Sequence, residues 1–349
     1  MWKVNEIEWI DLETTTYCNI KCPGCLRSNS RWADSFINKD KMDLDKIKEQ
    51  ITRDKFPALR TINLCGSIDE PISHPQIMDY VDWVLSLDVF VHISTNGSLR
   101  NENFWFELGS KMPRSKGVGM VTFGIDGTDA ETHVKYRVGS DFDKIMRNAE
   151  AFIDGGGRAQ WQMILFDYNE HQVEEAQRMA IEMGFHKFKT VKSARPKSVI
   201  QREEEMEYKA AERDTLPSIK CKYVDEKRVQ INNLGNVIPC CYVNSYDLEY
   251  NTVPSKEKYK NHIKSLDRQI PDPANPGKYI QEYAYDYIDG YEKLGGMLAN
   301  NIAYNDIVDV IEGDYFAMMH QSWNTDKAIS ICKDRCQNRR LDEMDSTIL

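Results

Sequence analysis

The residues with the clearest chemical potential are three cysteines near the start of the chain, Cys18, Cys22 and Cys25. Residues 15–25 read T-T-Y-C-N-I-K-C-P-G-C, which spaces the thiols as C-x3-C-x2-C. Three thiolates on one short loop can hold three irons of a four-iron cluster, so that one iron lacks a protein ligand. By analogy with catalytic metal sites, such an open position binds a substrate or a cofactor. Structural zinc is the alternative, but it takes four ligands and no His or Cys follows before Cys65.

The composition restricts the class of protein that carries this loop. The chain has 349 residues, nine of them cysteines, and a formal net charge of −10. An odd cysteine count in a large chain argues against a disulfide framework, and we interpret the isolated Cys65 as a small buried apolar residue. The acidity disfavours a large nucleic-acid partner. We find neither a run of about 18 apolar residues nor a signal-peptide pattern, and therefore expect a soluble cytoplasmic protein.

The segments that must position the cysteines alternate between two kinds over the first 190 residues. Runs rich in β-branched and aromatic residues predict strands at 8–14, 60–64, 89–94, 119–125, 159–166 and 187–191. Helical spacing of apolar residues predicts helices at 44–53, 76–87, 102–111, 142–153 and 171–183. Such alternation indicates an α/β fold with a parallel sheet. Six strands suit a partial (β/α)6 TIM-like barrel, although a doubly wound sheet has the same periodicity.

The composition changes after the sixth strand. We predict a core domain at residues 1–192, a charged linker with one solvated helix at 193–220, and a C-terminal domain at 221–349. Residues 229–239 read V-Q-I-N-N-L-G-N-V-I-P, which predicts a β-hairpin around an Asn/Gly turn. Residues 243–330 have weak periodicity, so we expect irregular structure there with helices near 287–299 and 306–318.

Further landmarks follow the cysteine loop, each on or just after a predicted strand. Residues 64–75 read L-C-G-S-I-D-E-P-I-S-H-P, residues 93–97 read I-S-T-N-G, and residues 124–127 read G-I-D-G, with Arg137 beyond them. With the C-x3-C-x2-C loop they resemble the radical S-adenosylmethionine (radical SAM) superfamily, whose corresponding segments are C-x3-C-x-Φ-C, G-G-E-P, S-T-N-G and S-x-D-G. The resemblance covers roughly residues 8–190.

The resemblance implies an enzyme in which a [4Fe-4S] cluster on Cys18, Cys22 and Cys25 binds S-adenosylmethionine at its open iron. An electron then cleaves the sulfonium, and the 5′-deoxyadenosyl radical abstracts a substrate hydrogen. It also implies an external one-electron donor such as flavodoxin or ferredoxin. The residues that the resemblance places around S-adenosylmethionine are Tyr17, Gly66, Asp69, Glu70, Ser94, Asn96, Asp126 and Arg137.

Two departures from the family pattern affect these assignments. Gly24 occupies the Φ position, where the family usually has a bulky residue against adenine, and Tyr17 is a hypothetical substitute. The loop G-S-I-D-E-P differs from G-G-E-P, so either Asp69 or Glu70 could pair the cofactor's ammonium. Arg137 could clamp its carboxylate bidentately.

The later cysteines suggest a second site. Cys221 and Cys240 flank the predicted hairpin with Gly235 at its turn, which resembles the start of the SPASM and twitch domains that hold auxiliary clusters. Adding Cys332 and Cys336 gives four thiolates, enough for one fully ligated [4Fe-4S] cluster. Zinc in the same four thiolates is a rival. The neighbouring Cys241 is interpreted as a spare, although it could replace Cys240.

We therefore expect a radical SAM enzyme that oxidises or modifies a peptide or small molecule, with no catalytic residue identified. One alternative is a nucleobase or nucleoside-type substrate. Another is a non-enzymatic, cysteine-rich metal-binding protein, although such a scaffold needs only the cysteines and not the ordered landmarks.

The iron content tests both cysteine groups. If each holds a four-iron cubane, anaerobically purified protein should contain about eight irons per chain and the Cys18→Ala/Cys22→Ala/Cys25→Ala variant about four. Iron and sulfide assays measure this. Wild-type protein with only about four irons would remove the auxiliary cluster, and zinc in its place would support the rival.

Overall fold

The computed structural model describes residues 2–29, 35, 41–192, 219–265, 268–271, 279–282, 285–325, 328, 329, 332 and 336. The predicted linker at 193–220 therefore lies almost entirely outside the described residues, which resume at Ile219. In the described part of the chain, no helix is long and apolar enough to cross a bilayer.

An open sheet of eight strands forms the centre of the fold, in the order β6-β5-β4-β3-β2-β1-β7-β8. All neighbouring strands pair in parallel except β7 and β8, which form the predicted hairpin. The strands are β1 Trp9–Leu12, β2 Thr61–Leu64, β3 Phe90–Thr95, β4 Gly119–Gly124, β5 Ala159–Leu165, β6 Lys187–Lys192, β7 Arg228–Ile231 and β8 Val237–Ile238. A separate antiparallel pair contains β9 Arg268–Pro271 and β10 Tyr279–Glu282.

The α/β class and the partial barrel are confirmed, since the sheet is mostly parallel and does not close on itself. The six strands predicted in the first 190 residues are all present, within a few residues of their predicted ends. Alternate residues explain why they form. Ile10, Leu12, Ile62 and Leu64 are fully buried in the hydrophobic core, while the residues between them, such as Asp11, are polar.

Helices connect the strands and continue beyond them. They are α1 Leu26–Asn29, α2 Leu44–Gln50, α3 Ile77–Ser86, α4 Glu102–Lys111, α5 Ala130–Val134, α6 Phe142–Asp154, α7 Val173–Glu182, α8 Lys222–Asp225, α9 Cys241–Thr252, α10 Lys256–Ser265, α11 Tyr285–Lys293, α12 Gly296–Asn300, α13 Ile307–Ile311 and α14 Asp314–Ser322. Side chains cap several of them: Asp141, for example, accepts a hydrogen bond from the amide of Lys144 at 3.0 Å at the start of α6.

Across residues 243–330 the two predicted helical regions, 287–299 and 306–318, are helical, but the prediction of irregular structure elsewhere in this segment missed α9 and α10. Most of the described part of this segment is helical, from α9 to α14. The predicted helix at 287–299 is two helices, because the chain turns at Gly295 with φ of +88°. Large Tyr side chains explain the weak pattern: Tyr250, Tyr259 and Tyr291 are fully buried or nearly so, although tyrosine is a polar aromatic residue.

The hairpin does not form a sheet of its own. Strand β7 pairs in parallel with β1, so the part of the chain that we assigned to a second domain extends the sheet of the first. A buried ion pair reinforces this contact: Arg228 donates from Nε and Nη2 to the carboxylate of Asp11, at 2.5 and 2.7 Å. The same guanidinium lies 4.8 Å from the ring centres of both Trp9 and Tyr223. The domain boundaries stay a prediction.

Arg228→Met should therefore destabilise the protein strongly. Removing the arginine leaves the buried Asp11 carboxylate without its counter-charge, which we expect to lower the free energy of unfolding by about 3 kcal/mol. Urea unfolding measures this. Arg60→Met is the control, since Arg60 is largely exposed beside Glu8 and should cost less than about 1 kcal/mol. Equal losses would contradict the role given to Asp11.

Candidate functional site

The three-cysteine loop begins directly after β1, at the carboxyl edge of the sheet. The backbone turns between Cys22 and Cys25, whose amide donates to the Cys22 carbonyl at 3.1 Å. Gly24 stands in this turn with φ of +82°, a conformation that favours glycine. The turn thus gives a physical reason for the glycine that departs from the family pattern.

A cavity of about 270 Å³ lies beside this loop. Nine of the fifteen predicted site residues line it: Cys18, Cys22, Cys25, Gly66, Asp69, Glu70, Ser94, Asn96 and Arg137. They come from the ends of successive parallel strands and from the segment after β4. Because the carboxyl ends of parallel strands meet at one edge, ligand sites of α/β folds concentrate there.

Asp69 and Glu70 are in different chemical situations. Glu70 is almost fully buried, and its carboxylate accepts hydrogen bonds from Thr95 Oγ1 and the Asn96 amide, both at 2.6 Å, and from the Ile72 amide at 3.2 Å. It therefore holds together the loops after β2 and β3.

Asp69 has no comparable support. Among the described residues, no donor is in hydrogen-bonding geometry with either of its carboxylate oxygens, although the backbone near Thr14 and Thr15 lowers its pKa slightly. Burial and the nearby acids Glu13 and Glu70 raise the pKa of Asp69 overall. The carboxylate lies so close to Gly66 that a Cβ there would be 1.8 Å from its oxygen, so this approach requires glycine.

Asn96 and Ser98 connect the loop after β3 to the cysteine loop. The side-chain nitrogen of Asn96, Nδ2, lies 3.8 Å from Cys18 Sγ and donates to Asn19 Oδ1 at 3.0 Å. Asn19 in turn donates to Ser98 Oγ at 2.8 Å. Asn148 of α6 stabilises the loop after β3, because its side-chain amide donates to the Gly97 carbonyl at 2.8 Å.

Arg137 and Asp126 form a buried ion pair at the far wall of the cavity. Arg137 Nε donates to Asp126 Oδ2 at 2.7 Å, and the other oxygen of Asp126 accepts from the Ile164 amide at 2.7 Å. Asp126 is fully buried behind the arginine and does not line the cavity. A Cβ at Gly124 would lie 2.5 Å from the guanidinium, so glycine at the end of β4 makes room for it.

Tyr17 does not line the cavity, and its side chain is about half exposed. The tyrosine on the cavity wall is Tyr136, which sequence reasoning did not assign to the site.

Cys65, interpreted as an apolar core residue, also lines the cavity, and burial and nearby acids raise the pKa of its thiol. The alternation along β2 could have indicated that Cys65 lies at the cavity. Ile62 and Leu64 face the core, so Asn63 and Cys65 face the other side of the strand.

The thiols are suited to metal binding only if the metal displaces their protons. Burial, followed by the proximity of Glu70, raises the pKa of Cys18 to about 12. Ligation by a cation reverses this preference, because thiolates are the ligating form.

The four later cysteines also meet. Cys221, Cys240, Cys332 and Cys336 line one small cavity of about 20 Å³, which is walled by Trp2, Ile219, Pro239, Tyr242, Met319 and Trp323. Cys241 lies outside it, exposed at the start of α9. The nine cysteines all fall within described positions, and no disulfide joins them. Within the described residues, no group of three or more His, Cys, Asp or Glu side chains is arranged closely enough to hold a metal ion.

A mostly parallel open sheet with thiols, carboxylates and an arginine around one cavity at its carboxyl edge is typical of an α/β protein with a ligand site at that edge. Residues 12–180 match the family model described as the Radical SAM superfamily. These 169 of the 349 residues are therefore similar to a superfamily whose members are enzymes, in agreement with the expected class.

Two curated relatives are similar to parts of this chain in sequence, and one solved structure is similar to it in fold. A protein of Pyrococcus furiosus named tungsten-containing aldehyde ferredoxin oxidoreductase cofactor-modifying protein is 34% identical over 121 residues, covering 34% of this chain and 31% of the relative. The AdoMet-dependent heme synthase of Methanosarcina barkeri is 24% identical, covering 52% and 50%. This chain therefore spans half or less of these relatives. SuiB of Streptococcus suis has the same fold at 14% identity with a TM-score of 0.51, covering 68% and 61%.

The contrast between the two acids predicts opposite effects of neutralising them. Asp69→Asn should weaken S-adenosylmethionine binding by about tenfold, since a charge-assisted partner of the ammonium is lost. It should also raise the melting temperature of the apoprotein at alkaline pH, where Asp69 with its raised pKa becomes a buried charge among other acids. Glu70→Gln should lower the melting temperature, because its carboxylate has three backbone and side-chain donors. Equilibrium binding measures the affinity, and thermal unfolding measures the melting temperature. Unchanged affinity in both variants would contradict the assignment of Asp69 or Glu70 as the partner of the cofactor's ammonium.

Proposed function

We propose that this chain is a radical SAM enzyme that reductively cleaves S-adenosylmethionine and abstracts a hydrogen atom from a peptide or small molecule. The observation that carries the proposal is the cavity at the carboxyl edge, where three thiols meet unpaired carboxylate oxygens and a buried arginine. A scaffold that only bound metal would need the thiols and none of the other groups.

The groups present fit the cofactor chemically. S-adenosylmethionine carries a cationic amino group, for which Asp69 offers oxygens without a hydrogen-bond partner among the described residues. It also carries a carboxylate, for which Arg137 offers a guanidinium already oriented by Asp126. Ser94 and Asn96 supply short polar groups on the same wall. When bound on Cys18, Cys22 and Cys25, the cluster supplies the electron for cleavage, and the protein binds, orients and excludes water.

The second group of cysteines supports an oxidative outcome. Four thiols around one closed apolar cavity suit a fully ligated cluster, which can accept an electron from a substrate radical. The net reaction would then be a two-electron oxidation. SuiB, which shares the fold, has been crystallised with S-adenosylmethionine and with its precursor peptide SuiA, which supports a peptide as one candidate substrate. We further propose a cytoplasmic setting and an external one-electron donor such as flavodoxin or ferredoxin.

Formation of 5′-deoxyadenosine tests the activity directly. Anaerobically reconstituted protein with dithionite and S-adenosylmethionine should release it, as measured by chromatography. The Cys18→Ala/Cys22→Ala/Cys25→Ala variant should release none. Cys332→Ala/Cys336→Ala is the matched control and should still release it, because those thiols line the other cavity. Iron-loaded wild-type protein that formed no 5′-deoxyadenosine would overturn the proposal.

A further inference from the structure

Glu13 follows β1 directly and is completely buried. One of its carboxylate oxygens, Oε1, accepts three hydrogen bonds: from the Ser67 amide at 2.6 Å, from Gln230 Nε2 at 2.9 Å and from Asn244 Nδ2 at 2.6 Å. No sequence motif singled this residue out.

The three donors belong to three separate parts of the fold. Ser67 lies in the loop after β2, between Gly66 and Asp69. Gln230 belongs to the hairpin strand β7, and Asn244 belongs to α9. This helix begins immediately after Cys240, and Asn244 also donates to Ser67 Oγ at 2.9 Å. A single oxygen therefore joins the loop of the first cavity to the elements that flank a cysteine of the second.

We propose that Glu13 is a positioning residue, which fixes the loop of residues 66–70 against β7 and α9 and so sets the affinity of the first cavity for S-adenosylmethionine. The inference rests on the proposed function, because it takes S-adenosylmethionine as the ligand. It adds a residue outside the cavity lining, and it makes that affinity depend on the hairpin and on α9.

The second oxygen of Glu13 makes the affinity of the first cavity for S-adenosylmethionine sensitive to pH. Oε2 is buried, and no donor among the described residues is in hydrogen-bonding geometry with it, although the backbone of Asn233 opposes the rise in the pKa of Glu13. Burial raises the pKa of Glu13 to about 7. The titratable groups that face it are Asp69 and Cys65, which follow β2, whereas β7 and α9 present the side-chain amides of Gln230 and Asn244.

The sign of the effect follows from these charges. Below about pH 7 Glu13 is neutral, its hydrogen bonds to the loop are weaker, and it adds no negative charge near Asp69. Above that pH it is ionised, holds the loop more firmly and favours a cationic amino group nearby. Affinity for S-adenosylmethionine should therefore rise as the pH increases through 7.

Glu13→Gln tests this inference. Equilibrium binding of S-adenosylmethionine to anaerobically reconstituted protein should show about tenfold weaker affinity than wild type at pH 8, because charge-assisted hydrogen bonds become neutral ones. The difference should shrink toward pH 6, where wild-type Glu13 is also neutral. Iron content and melting temperature establish that the variant is folded and loaded.

Asp247→Asn is the matched control. Asp247 is also fully buried on α9, and burial raises its pKa as well, but its carboxylate accepts from Asn232, Asn236 and Asn251, not from the β2 loop. This variant should keep the wild-type affinity and its pH profile.

Asn244→Ala removes the hydrogen bonds from α9 to Glu13 and to Ser67 Oγ but keeps the carboxylate, so it should weaken binding less than Glu13→Gln does. It keeps the inference testable if Glu13→Gln fails to fold. Wild-type affinity and an unchanged pH profile in both Glu13→Gln and Asn244→Ala would overturn the inference. Wild-type protein that bound no S-adenosylmethionine would contradict the proposed function instead.

Discussion

The structure depends on the two buried carboxylates of the first strand segment, Asp11 and Glu13. An ionised carboxylate in the interior is costly unless charges or hydrogen-bond donors surround it. The Asp11 carboxylate accepts hydrogen bonds from Arg228, from Asn63 Nδ2 at 2.7 Å and from Tyr223 Oη at 3.2 Å. Glu13 receives donors from the loop after β2 and from the hairpin and α9. Satisfying these two groups requires β7 to lie beside β1, so the C-terminal part of the chain completes the core sheet.

The first cavity shows the opposite arrangement. Asp69 is buried among acids without a hydrogen-bond donor in the described part of the chain, and Gly66 permits this by lacking a Cβ. Such a group destabilises the fold and is typical of a binding site, where stability and function conflict. Glu70, the next residue, is instead saturated with donors and supports the loops on either side. Two adjacent acids that the sequence could not distinguish thus have different physical roles.

Much of this was predictable because it depends on local patterns. Alternation of Ile10 and Leu12 with Asp11 indicated a strand, and the spacing of Phe142, Ile145 and Ala149 indicated a helix face. Motif order placed the first three cysteines after the first strand and Arg137 beyond the segment that follows the fourth. Helices α9 and α10 were missed because Tyr250 and Tyr259 carry the core there, and tyrosine does not mark a buried face as leucine does. Cys65 and Tyr136 were missed because neighbouring strands bring them to the cavity.

The sequence alone determined the local chemistry: the thiol spacing, the order of the landmarks, the strands and most of the helices of the first 190 residues. These properties depend on residues close together in the chain, so their pattern is visible without coordinates. Tertiary structure decided which distant groups meet. It paired β7 with β1, gathered Cys221 and Cys240 with Cys332 and Cys336, and brought Asn244 to Glu13 across the fold. Those contacts depend on the packing of the sheet and on satisfying buried charges, which no local pattern records.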